Sequence, residues 1–145
     1  MAGGSEGIWI MEVDGKNRSQ LTTGVTLDYQ PSVSPDGRYI VFVSERTGTR
    51  SIWRINIDGS NPKQLTLTSV IGNNSPQCTP DNQVVYQSAG ALWKVSIDGG
   101  ESVRIGEGMR SPAVSPDGKL IACSLGTPGS LDKLAVFSID GRIAC

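Results

Sequence analysis

Histidine is missing from all 145 residues. Its absence rules out a Ser-His-Asp or Cys-His nucleophile built from this chain alone. It also removes the commonest metal ligand and the usual general base. Cysteine is scarce: Cys78, Cys123 and Cys145 are an odd number with no C-x-x-C spacing, so neither a disulfide framework nor a zinc site is expected, and the thiols read as small hydrophobes. Excess charge is lacking too. At a net charge of −1 nothing points to nucleic acid or to an anionic membrane surface as a partner. No apolar run is long enough to span a bilayer. The opening "MAGGSEGIWIMEV" has no basic region followed by an apolar one, so no signal peptide is read there, and the chain as written is expected in the compartment where it is made. No cofactor is implied.

What the sequence does have is repetition. "SVSPDGRYIVFVS" from Ser32 returns as "AVSPDGKLIACS" from Ala113, with a divergent copy, "QCTPDNQVVYQS", from Gln77. A second phrase alternates with it: "GIWIMEVDG" from Gly7, "SIWRINIDG" from Ser51, "ALWKVSIDG" from Ala91 and a looser "KLAVFSIDG" from Lys133. "QLT" follows the first two copies of that phrase, at Gln20 and Gln64, and "RIGEG" replaces it after the third. The interval is about 40 residues, within the periods that mark solenoids and propellers.

Each unit can be read for local structure. Pro35 presets φ at the second position of a tight turn, Asp36 suits the third, and Gly37 accepts positive φ at the fourth. Pro116, Asp117 and Gly118 repeat this, as do Pro80 and Asp81, where Asn82 stands in for glycine as the next most tolerant residue. "RYIVFVS" is apolar on both faces and reads as a strand covered on both sides. "SIWRINID" alternates, with Trp53, Ile55 and Ile57 on one face and Ile52, Arg54 and Asn56 on the other. Trp9, Met11 and Val13 repeat the first of these faces, and so do Trp93, Val95 and Ile97; Trp9, Trp53 and Trp93 are therefore the expected core aromatics. Asp-Gly hairpin signals close each copy. A unit is four short antiparallel strands, and no helical period is present. A four-stranded sheet apolar on both faces has to stack on its own copies, and radial stacking is a β-propeller. A β-sandwich is the competing all-β architecture, but it does not account for turn chemistry repeated in place.

"SPDGRYIVFVSERTGTRSIWRINIDGSNPKQLT" resembles the repeat of TolB-type propellers, WD-like repeats with a Ser-Pro-Asp-Gly signature, over almost the whole chain. The resemblance implies that the segment before Ser-Pro-Asp-Gly is the innermost strand and "QLT" the outermost. It assigns Pro35, Asp36, Gly37, Pro80, Asp81, Pro116, Asp117 and Gly118 to inner turns and Trp53 and Trp93 to the third strand, where Ala135 departs from the pattern. These roles are structural; none is catalytic in the family. The family is often periplasmic or extracellular, and its namesake is a periplasmic partner of a peptidoglycan-associated lipoprotein.

The expected organisation of residues 1–145 is a single propeller segment. It holds a half blade at 7–24, blades at 29–66 and 75–106, and a last blade at 111–145 whose outer strand is weak or missing. Propellers close with about four to eight blades, so an open arc would bare more than the roughly 300–600 Å² of apolar patch usual on a monomer. The chain is expected either to be part of a propeller of about six to eight blades or to close a ring as a homodimer. Faint calcium-loop echoes at Asp14 and Asp58 lack the spaced carboxylates and closing Glu, and read as hairpin turns. Glu45, Arg46, Arg50, Asp132 and Lys133 read as solvated loop charges. Asp36, Asp81 and Asp117 converge on one rim, but their turn role already explains them. The expected function is a non-enzymatic scaffold binding a protein or peptide on a rim or in the central channel. The alternative is the gating or sensor propeller of a larger enzyme, such as a prolyl-oligopeptidase-like peptidase or a bacterial receptor kinase.

Overall fold

The computed structural model describes residues 6–24, 27–67 and 72–143. Over these it is all-β, with thirteen strands in four antiparallel sheets. The first sheet pairs β1 (Trp9–Ile10) with β2 (Ser19–Gln20). The second runs in chain order through β3 (Asp28–Val33), β4 (Tyr39–Ser44), β5 (Ser51–Asn56) and β6 (Lys63–Gln64). The third repeats that order with β7 (Asn74–Cys78), β8 (Gln83–Ser88), β9 (Ala91–Ser96) and β10 (Val103–Glu107). The fourth has three strands, β11 (Met109–Val114), β12 (Leu120–Leu125) and β13 (Lys133–Ser138), and one further bridge from Phe137 to Ile143. The sheets form part of a propeller and do not close a ring.

Three apolar layers separate the four sheets, and period-two alternation sorts side chains between them. Ile8 of the first sheet meets Ile40, Phe42 and Ile55 of the second. From the other face of the second sheet, Val41, Val43 and Ile52 meet Val84, Tyr86, Val95 and Ile97 of the third. Val85 and Leu92 of the third then meet Met109, Ile121, Cys123 and Phe137 of the fourth. Strand β4 is buried along almost its whole length because it has a sheet on each side. Each such side chain contributes about 1.5–3 kcal/mol by leaving water.

Trp9 departs from expectation. It is 50% exposed, with Met11 and Val13 beside it still more so. Trp53 and Trp93 are partly buried and pack against the first and second layers. The alternation is the same in all three copies. In the first sheet, however, the covered face carries Ile8, and no described sheet lies against the face that carries Trp9.

Candidate functional site

Three structural features compete for a functional role: the rim of inner turns, the groove between inner strands, and the hairpin side of the sheet interfaces.

At the rim, each turn aspartate is engaged by its own turn. Gly37 takes φ 71° and donates its N–H to the Ser34 carbonyl at 2.8 Å, closing the turn. The Ser34 hydroxyl donates to Asp36 Oδ1 at 2.6 Å, and Asp36 also accepts the Arg38 backbone N–H at 3.0 Å and its Nε at 2.7 Å. The serine hydroxyl first, then the two Arg38 donors, pull the Asp36 carboxyl down to about 2. Ser115 and the Lys119 N–H hold Asp117 in the same way, at 2.6 and 3.1 Å, and its pKa is lowered too. The divergent copy uses Thr79, which donates to Asp81 at 2.5 Å, and Asn82 takes φ 60°. All three carboxylates accept from local donors, and Asp36 and Asp117, with their pKa values lowered, stand ionised and fixed, which suits a turn and not a proton-transfer pair. Gly118 has a second duty: a Cβ there would lie 2.6 Å from Pro80 Cδ, so consecutive inner turns of the third and fourth sheets are in contact.

Between the inner strands β3, β7 and β11 runs a groove of about 250 Å³, lined by Gln30, Pro31, Ser75, Pro76, Gln77, Ser111 and Pro112. By sequence these segments read as plain extended strand. In fact Gln30, Ser75 and Ser111 have φ of 53°, 52° and 50°, each just before a proline and each at a shift in ladder register. The signal was available: proline inside a strand marks an edge or a bulge, and the X-Pro pair recurs once per unit. Each such residue costs on the order of 1–3 kcal/mol in strain. Side-chain amides satisfy the displaced backbone: Gln30 Oε1 accepts from the Ser75 N–H at 2.8 Å, and Gln87 Oε1 from the Ser111 N–H at 3.0 Å.

Arg46 corrects the reading of its loop as solvated. It folds into the hairpin end of the interface between the first and second sheets. Its guanidinium lies 4.6 Å from the Trp53 ring centre and 5.4 Å from that of Phe42. Its Nη2 is 2.9 Å from Asp28 Oδ2, and its Nε donates to Ser44 Oγ at 2.8 Å. Asp28 is buried, so the pair is held in low dielectric and shielded from salt. Glu45 and Arg50 of the same loop pair at 3.1 Å nearer solvent, and Asp132 reaches Arg110 at 3.8 Å.

Among the described residues no three His, Cys, Asp or Glu groups converge on a metal position, and no helix is long and apolar enough to cross a membrane. Cys78 is partly buried, and the desolvation pushes its thiol up to about 11; the buried Cys123 is shifted the same way. Cys145 lies outside the described residues.

A family model described as a TolB beta propeller domain matches residues 1–145. Among solved structures the chain is similar to TolB from Acinetobacter baumannii, at 26% identity and a TM-score of 0.82, covering 94% of this chain and 36% of that one. It is similar to a putative TolB from Agrobacterium tumefaciens at 21% identity and a TM-score of 0.83, covering 96% and 55%. A puromycin hydrolase shares the fold at 17% identity and a TM-score of 0.70, covering 92% of this chain and 22% of the enzyme. The chain thus spans between about a third and just over half of the two TolB structures. No curated protein matches it significantly.

Proposed function

The chain belongs to the TolB beta propeller domain family, and from that footing we propose that it is a non-enzymatic scaffold that holds an extended protein or peptide segment in the groove between its inner strands. The observation that carries this reading is the composition of that groove. Prolines, hydroxyls and side-chain amides line it, and no titratable group does so among the described residues. Such a surface can hydrogen-bond a peptide backbone, but it offers no acid, base or nucleophile of adjusted pKa. Peptides selected for binding from a random library, followed by amide chemical-shift mapping, test it. Shifts centred on Gln30, Gln77 and Ser111 are expected; selected peptides that map to the outer strands would overturn the reading.

We propose further that the chain on its own associates with a second copy. Trp9 on the first sheet is exposed, as are Met11 and Val13 in the hairpin that follows it, and Leu120, Leu134 and Val136 are exposed on the fourth sheet. Each set is the type of face that is covered elsewhere in the chain by a neighbouring sheet. Light scattering on a size-exclusion column is expected to give a dimer that persists on dilution and is lost in Leu134→Glu. A monomer at all concentrations would sink this proposal.

The second reading, a propeller carried by a larger enzyme, draws on the likeness to puromycin hydrolase. It predicts that a catalytic domain is encoded beside this one, and the full reading frame decides it.

A further inference from the structure

The repeat carries its own example of an occupied binding site, and one unit further on no side chain of the described residues fills the equivalent place. Four groups hold the Arg46 guanidinium in the first interface: the Trp53 and Phe42 rings, Asp28, and the Ser44 hydroxyl. Their counterparts one repeat later are Trp93, Tyr86, Asn73 and Ser88. All four line a cavity of about 300 Å³ at the hairpin end of the interface between the second and third sheets. The loop that supplies the arginine in the first interface is far shorter here. Six residues, 45–50, link β4 to β5; only Ala89 and Gly90 link β8 to β9, at φ 50° and 74°. That two-residue turn leaves no side chain long enough to fold back. In the third interface the counterpart of Asp28 is Met109, which is buried, and those of the two rings are Cys123 and Ala135, so these positions offer a cation neither an acid nor an aromatic face.

We propose that the cavity is a receptor for one arginine side chain of a partner polypeptide. Its equipment matches a planar cation with several donors. The Trp93 and Tyr86 rings supply π faces. Tyr86 keeps its hydroxyl engaged with Ser102 Oγ at 2.7 Å, which fixes the ring. Asn73 is 5% exposed and donates Nδ2 to Thr66 Oγ1 at 2.8 Å, so its Oδ1 is the acceptor turned to a ligand. Asn73 does not carry the charge of Asp28, but Glu101 at the cavity wall supplies a carboxylate where the occupied site has Asn61. Arg104, which pairs across the ladder with Trp93, is engaged by Glu107 and does not fill the cavity. Lysine fits less well, because a compact ammonium cannot lie flat between rings or use fork-like donors.

This inference is independent of the inner groove, which lies elsewhere on the molecule. The test uses the indole N–H resonances of Trp9, Trp53 and Trp93 during titration with N-acetyl-arginine amide and, separately, N-acetyl-lysine amide. The arginine compound is expected to shift Trp93 alone, saturably, and the lysine compound to bind at least about tenfold more weakly. Asn73→Asp, which restores the carboxylate of the occupied site, is expected to tighten binding several-fold. Glu101→Gln, at an exposed position, is expected to weaken it. The proposal is overturned if Trp93 does not move, if all three indoles move together, if both compounds act equally, or if neither variant changes the midpoint.

Discussion

The second and fourth sheets are written in almost the same words and end in different physical states. "SPDGRYIVFVS" and "SPDGKLIACS" both lead into a central strand. In the second sheet that strand is buried at five of six positions; in the fourth only Ile121 and Cys123 are buried and Leu120 stands 41% exposed. The difference lies not in apolarity alone but in neighbours. The second sheet has a sheet on each face, and the fourth has one on a single face among the described residues. Burial in a repeat architecture is therefore a property of the interface, as expected when stability is a sum over nearest neighbours.

The largest expected effect tests that contrast at one register position. Phe42 and Cys123 occupy equivalent places in the two sheets and both are fully buried. Phe42→Ala should cost about 3–5 kcal/mol, because it empties the layer between the first and second sheets. Cys123→Ala should cost only about 1 kcal/mol, since it removes little more than one methylene's worth of contact. Urea unfolding of both variants decides the matter, and equal losses would break the comparison. Next in size is Arg46→Ala, which strands a buried Asp28 carboxylate. It should cost about 3 kcal/mol, at the low end for a broken buried pair because part of the arginine meets solvent. Arg46→Met should recover part of that only when combined with Asp28→Asn, which removes the stranded charge.

Much of this fold was legible because turns and alternation are local. Pro35, Gly37, Asn82 and Gly118 state their backbone needs in their side chains, and Trp53, Ile55 and Ile57 state their face by spacing. What was not legible depended on juxtaposition. Trp9 has the same local pattern as Trp53, and it is exposed because no sheet of the described residues lies against its face. Arg46 sits in a loop that composition marks as solvated; its burial required knowing that Asp28, Ser44 and Trp53 meet there. The bulges at Gln30, Ser75 and Ser111 were readable from their prolines but passed as ordinary strand, since a single X-Pro pair seldom carries weight until its recurrence is noticed.

The third prediction turns the comparison round, because here the fourth sheet is the more constrained. Gly37 and Gly118 share φ 71°, but a Cβ on Gly37 meets nothing within 4 Å, whereas one on Gly118 would collide with Pro80. Alanine at either position should cost about 1 kcal/mol for left-handed backbone, and at Gly118 roughly a further 1–2 kcal/mol for displacing the neighbouring turn. Gly37→Asn should be nearly silent, as Asn82 already stands at that conformation. If thermal unfolding shows Gly118→Ala and Gly37→Ala alike, the inner turns do not brace one another.

The smallest effect separates the two turns by charge. Asp36 and Asp117 are both lowered, each first by its own serine hydroxyl, but only Asp36 also accepts a side-chain bond from an arginine. A carboxyl whose folded pKa lies below its unfolded value of about 3.9 contributes stability that is complete above that value and disappears as pH falls through the folded one. For Asp36 that window runs from about 4 down to about 2. Arg38→Lys should leave stability at neutral pH almost unchanged, because the pair is exposed. It should raise the Asp36 midpoint toward that of Asp117 in a carboxyl-carbon NMR titration, and Ser34→Ala should raise it further. If Arg38→Lys leaves the midpoint where it was, the serine and the backbone N–H alone set it, and the two turns are electrostatically the same device in differently covered sheets.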